Sequence, residues 1–237
     1  MLDKERVLAN GKSKGGKGFY FLIGAVVVVG GLLLMNARKG ANEAPDLAPI
    51  ALAGGDATAD VSAGAVLGAD DAAIVIWEFS DFLCPHCRTF NAMSGKLLRQ
   101  NYSNTGSLKW ISFDFPLRPE SWAPAIAAQC AKRQGKYYEM KDLLLARVDS
   151  WGRDRSPNGK FVGYARDLGL DAGTFESCVD GQETVAQVQA TKAFGESLGI
   201  DGTPSIFVNG ERFTIPGRDY GYGALEEQIK TAAAGDE

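Results

Sequence analysis

The pattern of hydrophobic and polar positions switches between period 2 and period 3.6 along the chain, and the switches mark its elements. A run from Phe19 to Met35 carries no charge and no strong polar group; its seventeen residues reach the short end of what spans a bilayer. Ile74 to Phe79 is apolar, β-branched and aromatic, interrupted only by Glu78, and reads as a buried strand. Phe90, Met93 and Leu97 recur at helical spacing, so a helix follows it. Leu108 to Phe115 alternates as a strand that Pro116 and Pro119 end.

Helical periodicity then takes over. Ser121 is placed to cap a helix that carries Cys130 and ends near Gly135. Tyr137, Met140 and Leu144 stripe the next helix, and Phe161, Ala165 and Leu168 another. Asp171 is expected to cap a short helix bearing Phe175 and Cys178, and a last helix is expected from about Glu183 to Leu198. Strands return at Ile206–Val208 and Phe213–Ile215 around an Asn209-Gly210 turn. Leu225 and Ile229 stand one turn apart on a terminal helix. The short segment Val66-Leu67-Gly68 is open between a strand and packing of the linker.

Charge changes the picture mainly at the N-terminus. Residues 1–18 hold Lys4, Arg6, Lys12, Lys14 and Lys17 against Asp3 and Glu5, and a basic flank faces the cytoplasm under the positive-inside rule. The expectation is a cytoplasmic tail over 1–18, an uncleaved membrane anchor over 19–35 and a single pass, with everything beyond Arg38 outside. A cleaved signal peptide is the rival reading, but the residues after Met35 offer no convincing small-x-small site. Residues 36–62 shift to Ala, Gly, Asp and Pro, the composition of a linker; some twenty flexible residues reach roughly 25 Å. One domain over 63–237 remains. The net charge of −4 gives no reason to expect nucleic-acid binding, and four cysteines with a single histidine leave little for a metal cluster.

The chemistry concentrates at Cys84-Pro85-His86-Cys87, where the strand runs into the helix. A helix N-terminus offers unpaired N–H groups and the positive end of the dipole, which stabilise a thiolate. Pro85 suits the first helical position, where a missing N–H costs nothing. Cys84 is therefore the expected attacking and attacked sulfur, with Cys87 one turn on, and His86 adds a donor or a partial positive charge. Half of a zinc site has the same spacing. Here, however, Cys84, His86 and Cys87 share one turn and cannot all point at one ion, and no other histidine completes the set.

The Cys84-Pro85-His86-Cys87 motif, Glu78 six residues before it, Ser80-Asp81 between them, and the distant Thr203-Pro204 followed by Phe207-Val208-Asn209-Gly210 together resemble the DsbA-like thiol:disulfide oxidoreductases of the thioredoxin superfamily. The resemblance covers roughly residues 66–234. It implies an α/β thioredoxin fold with an inserted helical domain over about 117–199, preceded here by the single N-terminal transmembrane helix. It also implies a cis Thr203-Pro204 bond, with the Thr203 backbone pairing to substrate beside Cys84. Glu78 becomes a proton acceptor or relay for Cys87, against the alternative of an edge-strand glutamate reaching water; Asp81 is a weaker candidate for a similar part. Cys130 and Cys178 are expected to form a structural disulfide, as some members carry, against two buried thiols or a second redox relay.

The implied activity is disulfide donation to newly exported or unfolded proteins in the periplasm or on the outer face of the membrane. No cofactor or metal takes part, and a membrane quinone-linked partner re-oxidises the dithiol. A reductase or isomerase would use the same residues, and a metal-binding or delivery module stays as a lesser alternative.

Overall fold

The computed structural model describes residues 63–235; the proposed tail, the anchor and the proposed linker lie outside them. Five strands form one mixed sheet: β1 (Ala65–Gly68), β2 (Ile74–Ser80), β3 (Leu108–Asp114), β4 (Ser205–Val208) and β5 (Glu211–Phe213), ordered β1-β3-β2-β4-β5. β2 and β3 run parallel, and the other pairings are antiparallel. The β1 strand resolves the reading left open for Val66-Leu67-Gly68. A thioredoxin-like α/β architecture with an inserted helical cluster follows from this order. Among the described residues no helix is long and apolar enough to cross a membrane.

Strand periodicity separates the faces of the sheet. Ile74, Ile76, Leu108, Trp110, Ile206 and Val208 pack with Phe90 and Leu98 of the dithiol helix and with Leu225 and Ile229 of the terminal helix. Phe79, Ile111, Phe113 and Phe207 form the opposite core with Phe115 and Ile200. A helix crosses that second face so closely that a Cβ on Gly195 would stand 2.6 Å from Phe115; only glycine fits there.

The dithiol helix departs from the sequence reading. It comprises α1 (Pro85–Phe90), a π-helical turn (Asn91–Gly95) and α2 (Lys96–Tyr102). A π turn holds about one residue more than an α turn, so the buried stripe shifts by one position. Phe90 stays buried and Ser94 and Leu98 follow it, while Met93 and Leu97 are 41% and 42% exposed. Period 3.6 extrapolated across an irregular turn picks the wrong neighbours.

The insertion holds α3 (Trp122–Lys132), α4 (Tyr137–Ala146), α5 (Val148–Trp151), α6 (Asn158–Asp167), α7 (Ala172–Asp180) and α8 (Val185–Ser197). It has its own apolar centre, which includes Met140, Leu144, Phe161, Ala165 and Phe175. Cys130 on α3 and Cys178 on α7 are joined by a disulfide. Asp171 caps α7 by accepting from Thr174 N. Ser121 does not cap α3 with its side chain, because its hydroxyl is donated to Asp81 instead.

The last strand starts at Glu211, two residues before its predicted start. Asn209 and Gly210 both have positive φ, 50° and 84°, the two-residue turn that brings an antiparallel partner back at once. Chain closure is completed by α9 (Tyr222–Gly235).

Candidate active site

The dithiol stands where β2 ends. Asp81 Oδ1 accepts from Leu83 N at 2.7 Å and Ser121 Oγ at 2.8 Å, its Oδ2 accepts from Leu117 N at 2.8 Å, and its carbonyl accepts from Cys84 N at 3.1 Å. One buried carboxylate thus holds the turn before Cys84 and ties it to the loop that leads into α3. Cys84 is the N-cap, with Pro85 in the first turn and no acidic residue there. Arg88 N closes the first helical turn on Cys84 O at 3.1 Å.

The two cysteines are free thiols in unlike surroundings. Cys84 is partly exposed and Cys87 fully buried. Hydrogen bonding from Cys87 holds the Cys84 thiol far below its ordinary value, at about 5; burial opposes this, while the Thr203 side chain and the backbone N–H groups of Cys87 and His86 reinforce it. Burial first, and then Cys84 itself, push the Cys87 thiol well above the ordinary range. The pair therefore contains one thiolate-forming sulfur that a partner can reach and one protonated sulfur that it cannot. His86 acts on Cys84 through its backbone N–H, and its side chain is exposed.

Thr203 and Pro204 come to this site from 119 residues away. The Cys84 thiol donates to Thr203 O at 3.3 Å, and the Thr203-Pro204 peptide is cis. The buried Thr203 Oγ1 has no hydrogen-bond partner among the described residues, and the Thr203 side chain favours the thiolate at both sulfurs. A hydroxyl in that position can donate once a thiolate is present.

Glu78 lies on the central strand β2, so the edge-strand alternative does not hold. It is completely buried opposite Ser112 of β3. Trp110 Nε1 and Ser112 Oγ each donate to Oε2 at 3.0 Å, and Lys141 Nζ stands 2.9 Å from Oε1. Burial raises the Glu78 pKa, but the Lys141 and Arg99 cations more than offset it, and the carboxyl ends below its ordinary value. Sequence reasoning missed Lys141 and Arg99, both buried. The available signal was Lys141 falling four residues after Tyr137 on the apolar stripe of α4. Asp114, at the end of β3, was missed too. It accepts from Tyr137 Oη at 2.7 Å and Gln129 Nε2 at 2.6 Å, and burial raises it to about 6 against those donors.

Among the described residues no group of three or more His, Cys, Asp or Glu could hold a metal ion. What the geometry provides is a dithiol of split acidity beside a cis-proline loop on a thioredoxin sheet. A family model described as thioredoxin (Thioredoxin_4) matches residues 60–230, and the chain belongs to that family.

Two curated relatives and one solved structure illustrate the likeness. The chain is 28% identical over 172 residues to "Na(+)/H(+) antiporter NhaA 3" of Salinispora tropica, a match covering 71% of this chain and 24% of that protein. It is 27% identical over 150 residues to "Putative protein-disulfide oxidoreductase" of Rickettsia bellii, covering 61% and 56%. The chain thus spans about a quarter of the antiporter's length and just over half of the Rickettsia protein's. Oxidised BdbD from Bacillus subtilis superimposes with a TM-score of 0.61 at 19% identity, over 73% of this chain and 94% of that one, a likeness of fold.

Proposed function

We propose that this protein is an extracytoplasmic thiol:disulfide oxidoreductase that donates its Cys84–Cys87 disulfide to exported proteins, tethered to the membrane by residues 19–35. The observation that carries the reading is the unlike placing of the two sulfurs: Cys84 is a partly exposed helix N-cap 3.3 Å from Thr203 O, with its pKa lowered to about 5, and Cys87 is fully buried, with its pKa raised well above the ordinary range. A stabilised Cys84 thiolate favours the reduced form, and a dithiol whose reduced form is favoured is an oxidising disulfide. The name of the Rickettsia relative supports the same class of chemistry.

The reaction runs through sulfur alone and requires no metal or organic cofactor. A substrate thiolate attacks Cys84 Sγ, a new S–S bond forms, and the Cys84–Cys87 bond breaks with its electron pair leaving on Cys87. The departing Cys87 takes a proton, consistent with its raised pKa. Glu78, held ionised by Lys141 and Arg99, carries no proton to give at neutral pH and serves as the acceptor when the Cys87 thiol is deprotonated. A second substrate thiolate then attacks the substrate sulfur of the mixed disulfide, releasing the oxidised substrate and the Cys84 thiolate. The substrate backbone pairs with Thr203 as a short added strand. A membrane quinone-linked partner returns the dithiol to the disulfide.

The test is to mix the oxidised full-length chain with a reduced, unfolded protein carrying two cysteines, and to trap intermediates at low pH. Cys87→Ser, its Cys84 first converted to a mixed disulfide with thionitrobenzoate, is expected to release thionitrobenzoate and accumulate a mixed disulfide with a single-cysteine form of the substrate, and Cys84→Ser to form none and oxidise nothing. Substrate oxidation by Cys84→Ser at the parent rate would refute the assignment.

A further inference from the structure

We propose that the rim of the dithiol site on the side of the helical insertion selects substrate segments with acidic residues next to the reacting cysteine; this rests on the disulfide-donor reading above. Two loops form that rim. The first is fixed by Asp81, which holds Leu117 N at 2.8 Å, and Leu117 itself is 46% exposed with Arg118 directly after it. The second follows α5: a Cβ on Gly152 would lie 3.2 Å from Leu83 Cδ2, so this loop passes against the residue preceding Cys84. Arg153 and Arg155 come next. Arg88, one turn beyond Cys84, ties the dithiol helix to the same region through Asp149 at 2.9 Å.

The charges on this rim do not cancel. Asp149 is taken by Arg88, and Asp154 by Lys160 at 2.6 Å. The side chains of Arg118, Arg153 and Arg155 are exposed and make no ion pair or hydrogen bond among the described residues. Glu120 is the one exposed acid on these loops in the same condition. The rim is thus cationic in a chain whose net charge is −4, and an acidic substrate repelled elsewhere finds its attraction here. Guanidinium forks bind carboxylates two-pronged, and exposed charges of this kind act mainly on the rate of encounter, over a range of about 10 Å in 0.1 M salt.

Two synthetic peptides test this, identical except that Asp and Glu flank the cysteine in one and Lys in the other. Each is reacted with the oxidised full-length chain, and its rate is divided by its rate with 2-hydroxyethyl disulfide, which removes the effect of the flanks on the peptide thiol itself. The acidic peptide is expected to react about tenfold faster at low ionic strength, and the ratio to approach one in about 1 M salt. In the double variant Arg118→Glu with Arg153→Glu the preference is expected to vanish or invert, with the circular dichroism and the potential of the dithiol as controls for an intact fold. Equal normalised rates for the two peptides, or a ratio indifferent to salt and to the double variant, would overturn the inference while leaving disulfide donation standing. Oxidation of neither peptide would overturn disulfide donation, and the inference with it.

Discussion

A carboxylate in the middle of a central strand survives burial only with cations around it, and Glu78 has two. Lys141 is the nearer, at 2.9 Å, with Arg99 at 3.8 Å. Replacing Lys141 by Met removes the closer charge and strands the carboxylate. The expected cost is roughly 3–5 kcal/mol at pH 7. The direction with pH follows from the depressed Glu78 pKa. Its contribution is present above the unfolded value of 4.5 and is lost as pH falls through the lower folded value. Urea unfolding of parent and variant at pH 7 and pH 3 checks this: the gap should narrow in acid, and a gap of the same size at both would show that Lys141 acts by packing alone.

At the scale of elements, Asp81 fastens three pieces that the chain delivers separately: the end of β2, the turn into α1 and the loop into α3. Asp81→Ala abandons two backbone N–H groups and one hydroxyl. The expected loss is about 2–4 kcal/mol, against about 1 kcal/mol for Ser121→Ala, which removes one neutral partner. Denaturant titration of both variants decides it, and an Asp81→Ala chain within about 0.5 kcal/mol of the parent would deny the clamp.

Elements governed by neighbours in sequence were legible. Strand β2, the Asn209-Gly210 turn, the Asp171 cap and the stripe of α4 all depend on residues within a few positions of each other. The π turn was not legible, since nothing in Asn91-Ala92-Met93-Ser94-Gly95 announces the extra residue that swings Met93 and Leu97 outward. The Ser121 cap failed for a related reason: a buried carboxylate forty residues away competes for the same hydroxyl. The same divide runs through the site. The dithiol and its helix start are local, whereas the partners of Glu78 come from positions 99, 110, 112 and 141, and no spacing connects them before the sheet and insertion fold together.

For the whole molecule, the Cys130–Cys178 bond joins α3 to α7 across a sequence separation of 48. Closing a loop of that length restricts the unfolded chain by about 4 kcal/mol in the chain-entropy description. The double variant Cys130→Ala with Cys178→Ala is expected to lose about that much stability while keeping its dithiol chemistry. Calorimetry and a thiol-exchange assay check the two halves of that statement. A variant of parental stability would make the bond dispensable to the fold, and one with lost exchange chemistry would make it part of the reaction.

That variant also leaves a single redox pair, Cys84 with Cys87, for the measurement that bears most directly on the account: equilibration of the full-length chain against a glutathione series to obtain the reduction potential. Stabilisation of the Cys84 thiolate predicts an oxidising value near the DsbA end of the known range, roughly −120 mV. It also predicts that this advantage of the reduced form fades as pH falls through about 5. A potential near the thioredoxin value of about −270 mV would contradict disulfide donation and make this dithiol a reductant.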